Sequence, residues 1–181
     1  MVEEVAMTCG LPINGISVVT EYLCLEVKVK LLLSKACASF CGECLDVCCR
    51  QEICSESMDS NWLRIVWGMC GHEASEYDHH EGWLSSNGCV LVAGRPPFCY
   101  AFMCNKIREH VTKRFYLSYL QTVSNLPSFV GDNAIGSRHL ITLSSDEIKF
   151  RVNFSRLGKR VAKCHEIFAL CEKRLSFFNI I

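Results

Sequence analysis

Residues 37–54 read Cys-Ala-Ser-Phe-Cys-Gly-Glu-Cys-Leu-Asp-Val-Cys-Cys-Arg-Gln-Glu-Ile-Cys, which places six cysteines (Cys37, Cys41, Cys44, Cys48, Cys49 and Cys54) within eighteen positions. No apolar core needs thiols at that density. A Cys-x-x-Cys turn such as Cys41–Cys44 aims two sulfurs at one point, which suits a soft metal. Cys37, Cys41, Cys44 and Cys48 also stand four, three and four residues apart, so a continuous helix would line them along one face. Cysteine packs like a small hydrophobe, and such a stripe can be simple core. Cys49 and Cys54 fall off the stripe, which favours ligation over packing.

Working outward, more thiols follow at Cys70, at Gly88-Cys89, at Arg95-Pro96-Pro97-Phe98-Cys99 and at Cys104. The candidate ligands are therefore Cys41, Cys44, Cys48, Cys49, Cys54, Cys70, Cys89, Cys99 and Cys104. Four thiolates complete a tetrahedral zinc site or a cubane iron–sulfur cluster. Nine candidates exceed one such site and would serve two, or one plus reactive thiols. The adjacent pair Cys48-Cys49 is awkward at a single zinc, because consecutive side chains point apart, and this tilts the reading toward an iron–sulfur cluster.

A Cys-x-x-Cys with a Cys-Cys pair, followed by Gly-Cys and Arg-Pro-x-x-Cys-x4-Cys, resembles the zinc- or iron-chelating domain family of CxxCxxCC, YkgJ-like proteins, to which the flagellin lysine N-methylases are related. The resemblance covers residues 37–104, and departs from the pattern in having three residues between Cys44 and Cys48. It implies a chelated metal, a [4Fe–4S]-type centre in the methylase relatives, and a hairpin that presents Cys89 to the cluster. It also implies an alternative function, an S-adenosylmethionine-dependent protein lysine N-methylase-like enzyme. No Gly-x-Gly-x-Gly loop follows a strand to cradle that cofactor, so a metal-binding, redox or accessory module is the leading expectation. A thiol–disulfide oxidoreductase built on Cys41-Gly42-Glu43-Cys44 would need an alternating strand–helix pattern, and none is present.

At 181 residues the chain fits a single domain, 1–181, and with half its residues apolar it can bury a core. Nineteen basic residues balance nineteen acidic ones, so no overall field recruits nucleic acid or an anionic membrane. The opening Met-Val-Glu-Glu has no basic n-region, and no run of eighteen apolar residues appears. Fourteen cysteines without an export signal point to a reducing compartment, the cytoplasm, where thiols ligate metal; a disulfide framework is the competing reading. There is no Ser-His-Asp arrangement, phosphate loop or HExxH motif.

The expected fold is mainly α with a small β-hairpin, a cysteine-rich core nucleated by metal and a long C-terminal helix. Residues 1–16 read as an irregular lead-in. Val18, Tyr22, Leu25, Val29, Leu32 and Ala36 mark one face of a helix over 17–36, although Leu25 to Lys30 alternates like a strand; Cys24 would join this core. Ser60 caps a short helix that Cys70-Gly71 closes, and the His- and Glu-rich run at 72–81 is either a solvated loop or a mixed-ligand metal site. A hairpin turns at Asn87-Gly88. Arg95 braces the loop behind it or offsets the charge of a thiolate cluster. A helix over 105–123 and a loop over 124–143 come next. From Ser144 or Ser145 a helix carries Phe150, Phe154, Leu157, Val161, Cys164, Phe168, Cys171, Leu175 and Phe178 in heptad spacing, with Cys164 and Cys171 as packing residues. That seam would pack on the helix at 17–36, on a second copy of the chain or on a protein partner. Nine Lys or Arg against four acidic residues over 138–174 make a solvated outer face, with a nucleic-acid face the weaker reading. His110, His139 and His165 stand alone as surface or core residues.

Overall fold

The computed structural model describes residues 10–41, 51–85, 88–111 and 114–177. Its first element, α1 (Ile13–Cys41), is 29 residues long and spans about 43 Å at 1.5 Å per residue. The helix begins four residues earlier than the apolar spacing suggested, because the Pro12 carbonyl already accepts from the N–H groups of Gly15 and Ile16. The strand alternative over Leu25 to Lys30 is excluded, since those residues are helical. Val18, Tyr22, Leu25, Val29, Leu32 and Ala36 are all buried, as the spacing required. Cys24 is not a core residue: it lies between Tyr22 and Leu25, rotated off the buried stripe, and is exposed.

Two single-turn helices, α2 (Gln51–Cys54) and α3 (Glu56–Asp59), lead into α4 (Asn61–Met69). Ser60 caps α4 by accepting from the Leu63 N–H, and Gly71 at φ +86° takes the left-handed turn that ends it. Trp62, Leu63, Val66 and Trp67 of α4 are buried. The hairpin pairs β1 (Leu84–Ser85) antiparallel with β2 (Gly88–Cys89), Leu84 opposite Cys89; the expected turn at Asn87 falls partly outside the described residues.

The helix expected over 105–123 is instead distributed over two, α6 (Asn105–His110) and α7 (Arg114–Gly131), after a short α5 (Pro97–Ala101). The expected loop from 124 is also corrected, because α7 runs through Pro127 to Gly131. Leu120, Val123, Leu126 and Val130 are buried at three- and four-residue intervals. Their burial offsets the hydrogen bond that proline cannot make. The C-terminal helix is likewise two, α8 (Ser145–Phe150) and α9 (Phe154–Phe177). Ser144 and Glu147 form a capping box at α8, and the Asn153 side chain restarts the helix by accepting from the Arg156 N–H at 2.9 Å. Phe150 is therefore off the seam and 82 % exposed, whereas Phe154, Leu157, Val161, Cys164, Phe168, Cys171 and Leu175 are buried; Phe178 lies outside the described residues.

The seam of α9 packs on α1 and α7, so the chain fills it from within. Gly158 permits the approach, since a Cβ there would meet Val18 Cγ2 at 3.1 Å. The basic residues outside the seam are spread among local partners. Arg138 and Arg151 both pair with Glu147, Lys163 pairs with Glu166, and Arg160 donates to the carbonyls of Val130 and Asp132. Among the described residues no helix is long and apolar enough to cross a membrane.

The register of the seam has a direct consequence. Leu157→Ala, at a residue 3 % exposed, is expected to cost about 2–5 kcal/mol in urea denaturation. Leu170→Ala, at a residue 66 % exposed, is expected to stay within about 0.5 kcal/mol. Equal effects would contradict the packing described.

Candidate metal centre

Five separate segments bring a cysteine to one cavity of about 330 Å³: Cys37 from α1, Cys54 from the end of α2, Cys89 from β2, Cys99 from α5 and Cys104 at the start of α6. Among the described residues its wall holds no carboxylate and no imidazole. Leu33, Ile53, Met103 and Ile107 supply apolar surface, and Phe98 and Phe102, with ring centroids 5.6 Å apart, line it while about half exposed. Ser34, Arg95 and Tyr100 supply the polar part of the described wall.

Local chemistry positions each thiol. Cys54 is held by Ser57, a buried hydroxyl that donates to the Cys54 carbonyl at 2.6 Å and accepts from Trp83 Nε1 at 2.7 Å. The Ser57 carbonyl in turn accepts from Trp67 Nε1 at 3.0 Å, so two buried tryptophans are tied to the turn after Cys54. Gly82, at φ +68°, passes so close that a Cβ would sit 2.9 Å from Cys54 Cβ. Burial pushes the Cys54 thiol above its ordinary pKa, against a partly offsetting hydrogen bond from the Trp83 N–H. Cys89 is set by the strand register, and Cys99 by the helical turn that opens at Pro96-Pro97.

The segment carrying Cys89 to Cys104 is fastened to α1 by a buried carboxylate. Glu26 has no solvent exposure, and its Oε2 accepts from the Gly94 N–H. Only glycine fits at position 94, where φ is +75° and a Cβ would lie 2.7 Å from the Trp67 nitrogen. Glu26 Oε1, Tyr100 Oη and Trp62 Nε1 are buried without a well-formed hydrogen bond, gathered around Tyr22. Burial raises the Glu26 pKa to about 7, although the Gly94 N–H, the Tyr22 hydroxyl and Arg95 all pull it down. One turn along α1, Lys30 Nζ donates to the Leu91 carbonyl at 2.9 Å, and Arg95 Nε donates to the same oxygen at 3.1 Å.

Of the cysteines singled out by sequence, Cys54, Cys89, Cys99 and Cys104 meet at the cavity. Cys70 ends α4, half-buried, and does not line it. Cys44, Cys48 and Cys49 lie outside the described residues, as does the side chain of Cys41. Cys37 was missed as a site residue; its spacing of four from Cys41 was the available signal. Cys164 and Cys171 are buried in the seam, as expected. Among the described residues no three His, Cys, Asp or Glu side chains are grouped to hold a single ion. In the 72–81 loop the polar groups satisfy one another: His72 pairs with Glu76 at 2.8 Å, and Asp78 accepts from the N–H groups of His80 and Glu81. His139 bridges the Ser128 carbonyl and the Ile141 N–H, and His165 contacts the Glu21 carbonyl; the side chain of His110 is outside the described set. Comparison with protein-family models, characterised proteins and solved structures gave no match.

The buried Glu26 makes stability depend on pH. Its carboxyl ionises near 4.5 when unfolded and near 7 when folded, so between those values the folded chain binds the extra proton. The contribution of Glu26 to stability is therefore expected to be fully present below about pH 4.5 and to fall by about 3 kcal/mol as pH rises to about 7. Urea titrations under reducing conditions check this, and Glu26→Gln should remove most of the dependence; a slope unchanged by that substitution would contradict it.

Proposed function

We propose that the protein is a metal-binding module that holds an iron–sulfur cluster, with zinc as the alternative, through the thiolates of Cys54, Cys89, Cys99 and Cys104 and with Cys37 beside them. The observation that supports it is the convergence of five cysteines, from five segments distant in sequence, on one cavity whose described wall holds no carboxylate and no imidazole. Thiol-rich surroundings without carboxylates suit soft metals and iron–sulfur clusters and disfavour magnesium or calcium. A cavity of about 330 Å³ has room for a multi-atom cluster, whereas a tetrahedral zinc needs four sulfurs about 2.3 Å from one centre, and among the described residues no three donors are grouped for a single ion. Cys41, Cys44, Cys48 and Cys49 remain candidate ligands from the motif alone, and the reading does not depend on them.

A bound cluster supplies one-electron transfer, or a cross-link between α1, the hairpin and α5. The chain's own residues keep the thiols in an apolar pocket rimmed by Phe98 and Phe102 and limit their contact with water. Cys54, whose pKa is raised, must lose its proton before it can ligate, so loading should release protons. The resemblance of the cysteine motif to chelating-domain proteins supports the same reading, and a reducing compartment such as the cytoplasm suits thiols that are to ligate metal.

Cys99→Ser and Cys104→Ser are each expected to take metal content well below that of the parent protein purified without oxygen. Cys24→Ser, on the exposed side of α1, should leave it unchanged. Full metal in both cavity variants would contradict the assignment.

A further inference from the structure

Lys30 and Arg95 are two cations that share one acceptor. Both donate to the Leu91 carbonyl, and Arg95 Nη2 also reaches the Cys89 carbonyl at 3.4 Å. Like charges this close, and partly buried, oppose each other; Lys30 is held below its ordinary pKa by burial and then by Arg95. Such a pair persists where anions offset it. Among the described residues the carboxylate within reach is Glu26, whose burial favours its neutral form and whose Oε2 already accepts from the Gly94 N–H. Among the described residues, the other acidic groups near the two cations are the thiols of Cys70, Cys89 and Cys99 and the Tyr100 hydroxyl. Arg95 itself lines the cysteine cavity.

We infer that Arg95, backed by Lys30, makes the cysteine cavity an anion-receiving pocket, so that it retains a negatively charged thiolate cluster and not a neutral guest. The identity of the occupant rests on the function proposed above; the positive field does not. A metal held by four thiolates carries net negative charge, and an adjacent guanidinium offsets it without competing as a ligand. Arg95 is thus a positioning residue, acting on the occupant through charge.

The test uses full-length, reduced, metal-free protein at low ionic strength, alkylated in parallel with neutral iodoacetamide and anionic iodoacetate, with rates read by mass spectrometry at each cysteine. A positive pocket favours the anionic reagent. The iodoacetate-to-iodoacetamide rate ratio at Cys89 and Cys99 is expected to exceed that at the exposed Cys24 several-fold. The excess should disappear in Arg95→Gln, survive in Arg95→Lys, shrink in Lys30→Met and fade with added salt. Equal ratios at cavity and exposed thiols of the parent protein would overturn the inference without reference to any variant's folding. An excess untouched by both Arg95→Gln and Lys30→Met would overturn it too. The ratio also separates the two proposals: a protein that shows the excess yet loads no metal keeps the anion-receiving pocket and loses the cluster.

Discussion

One buried hydrogen bond, from the Gly94 N–H to Glu26 Oε2, governs how the second half of the cysteines meets the first. It joins the middle of α1 to the segment that carries Cys89, Cys99 and Cys104, across a separation of 68 residues. Its geometry demands two things at once. The backbone at 94 must approach Trp67 without a side chain, and α1 must bury a carboxyl in its apolar face. Burying that group is costly, which is why its pKa rises to about 7. Lys30 and Arg95, gripping the Leu91 carbonyl one turn further along, fix the same segment a second time. With those anchors in place, the hairpin and α5 have little choice about where their thiols fall.

The scaffold around this junction is conventional helix packing. The α9 seam fills the groove between α1 and α7, and the tryptophans around Ser57 seal the side that holds Cys54. Cys164 and Cys171 pack in the seam as apolar groups. The cysteines at the cavity are in a different position. They sit half-buried or buried beside a cation, in a pocket that includes Phe98 and Phe102.

Periodic features were legible in the sequence. The buried face of α1, the Ser60 cap, the β1–β2 hairpin and the α9 seam all follow from local spacing and local hydrogen bonds, which operate within one or two turns. What escaped was decided over longer distances or by competing local signals. Pro127 and the polar residues after it looked like a loop, yet the stripe from Leu120 to Val130 kept α7 helical. Asn153 restarted a helix that the heptad spacing had carried straight through from Phe150. Glu26 was hidden because a charged residue flanked by Leu25 and Val27 reads as a surface position; its burial depends on Gly94, far along the chain. Four of the cavity cysteines were among the candidates by motif, Arg95 had two open readings and the fold puts it on the cavity wall, and Cys37 joined only when the fold placed it there.

The claim on which the account turns is that this cavity holds a thiolate-bound metal. Metal and acid-labile sulfide analysis, with a visible absorption spectrum, on protein purified without oxygen addresses it most directly. Iron with matching sulfide and a broad band near roughly 400 nm is the expected result. Colourless protein with stoichiometric zinc would keep the thiolate site and replace the cluster by a structural ion. Protein that contains neither metal, and takes up neither on anaerobic reconstitution, would contradict the account.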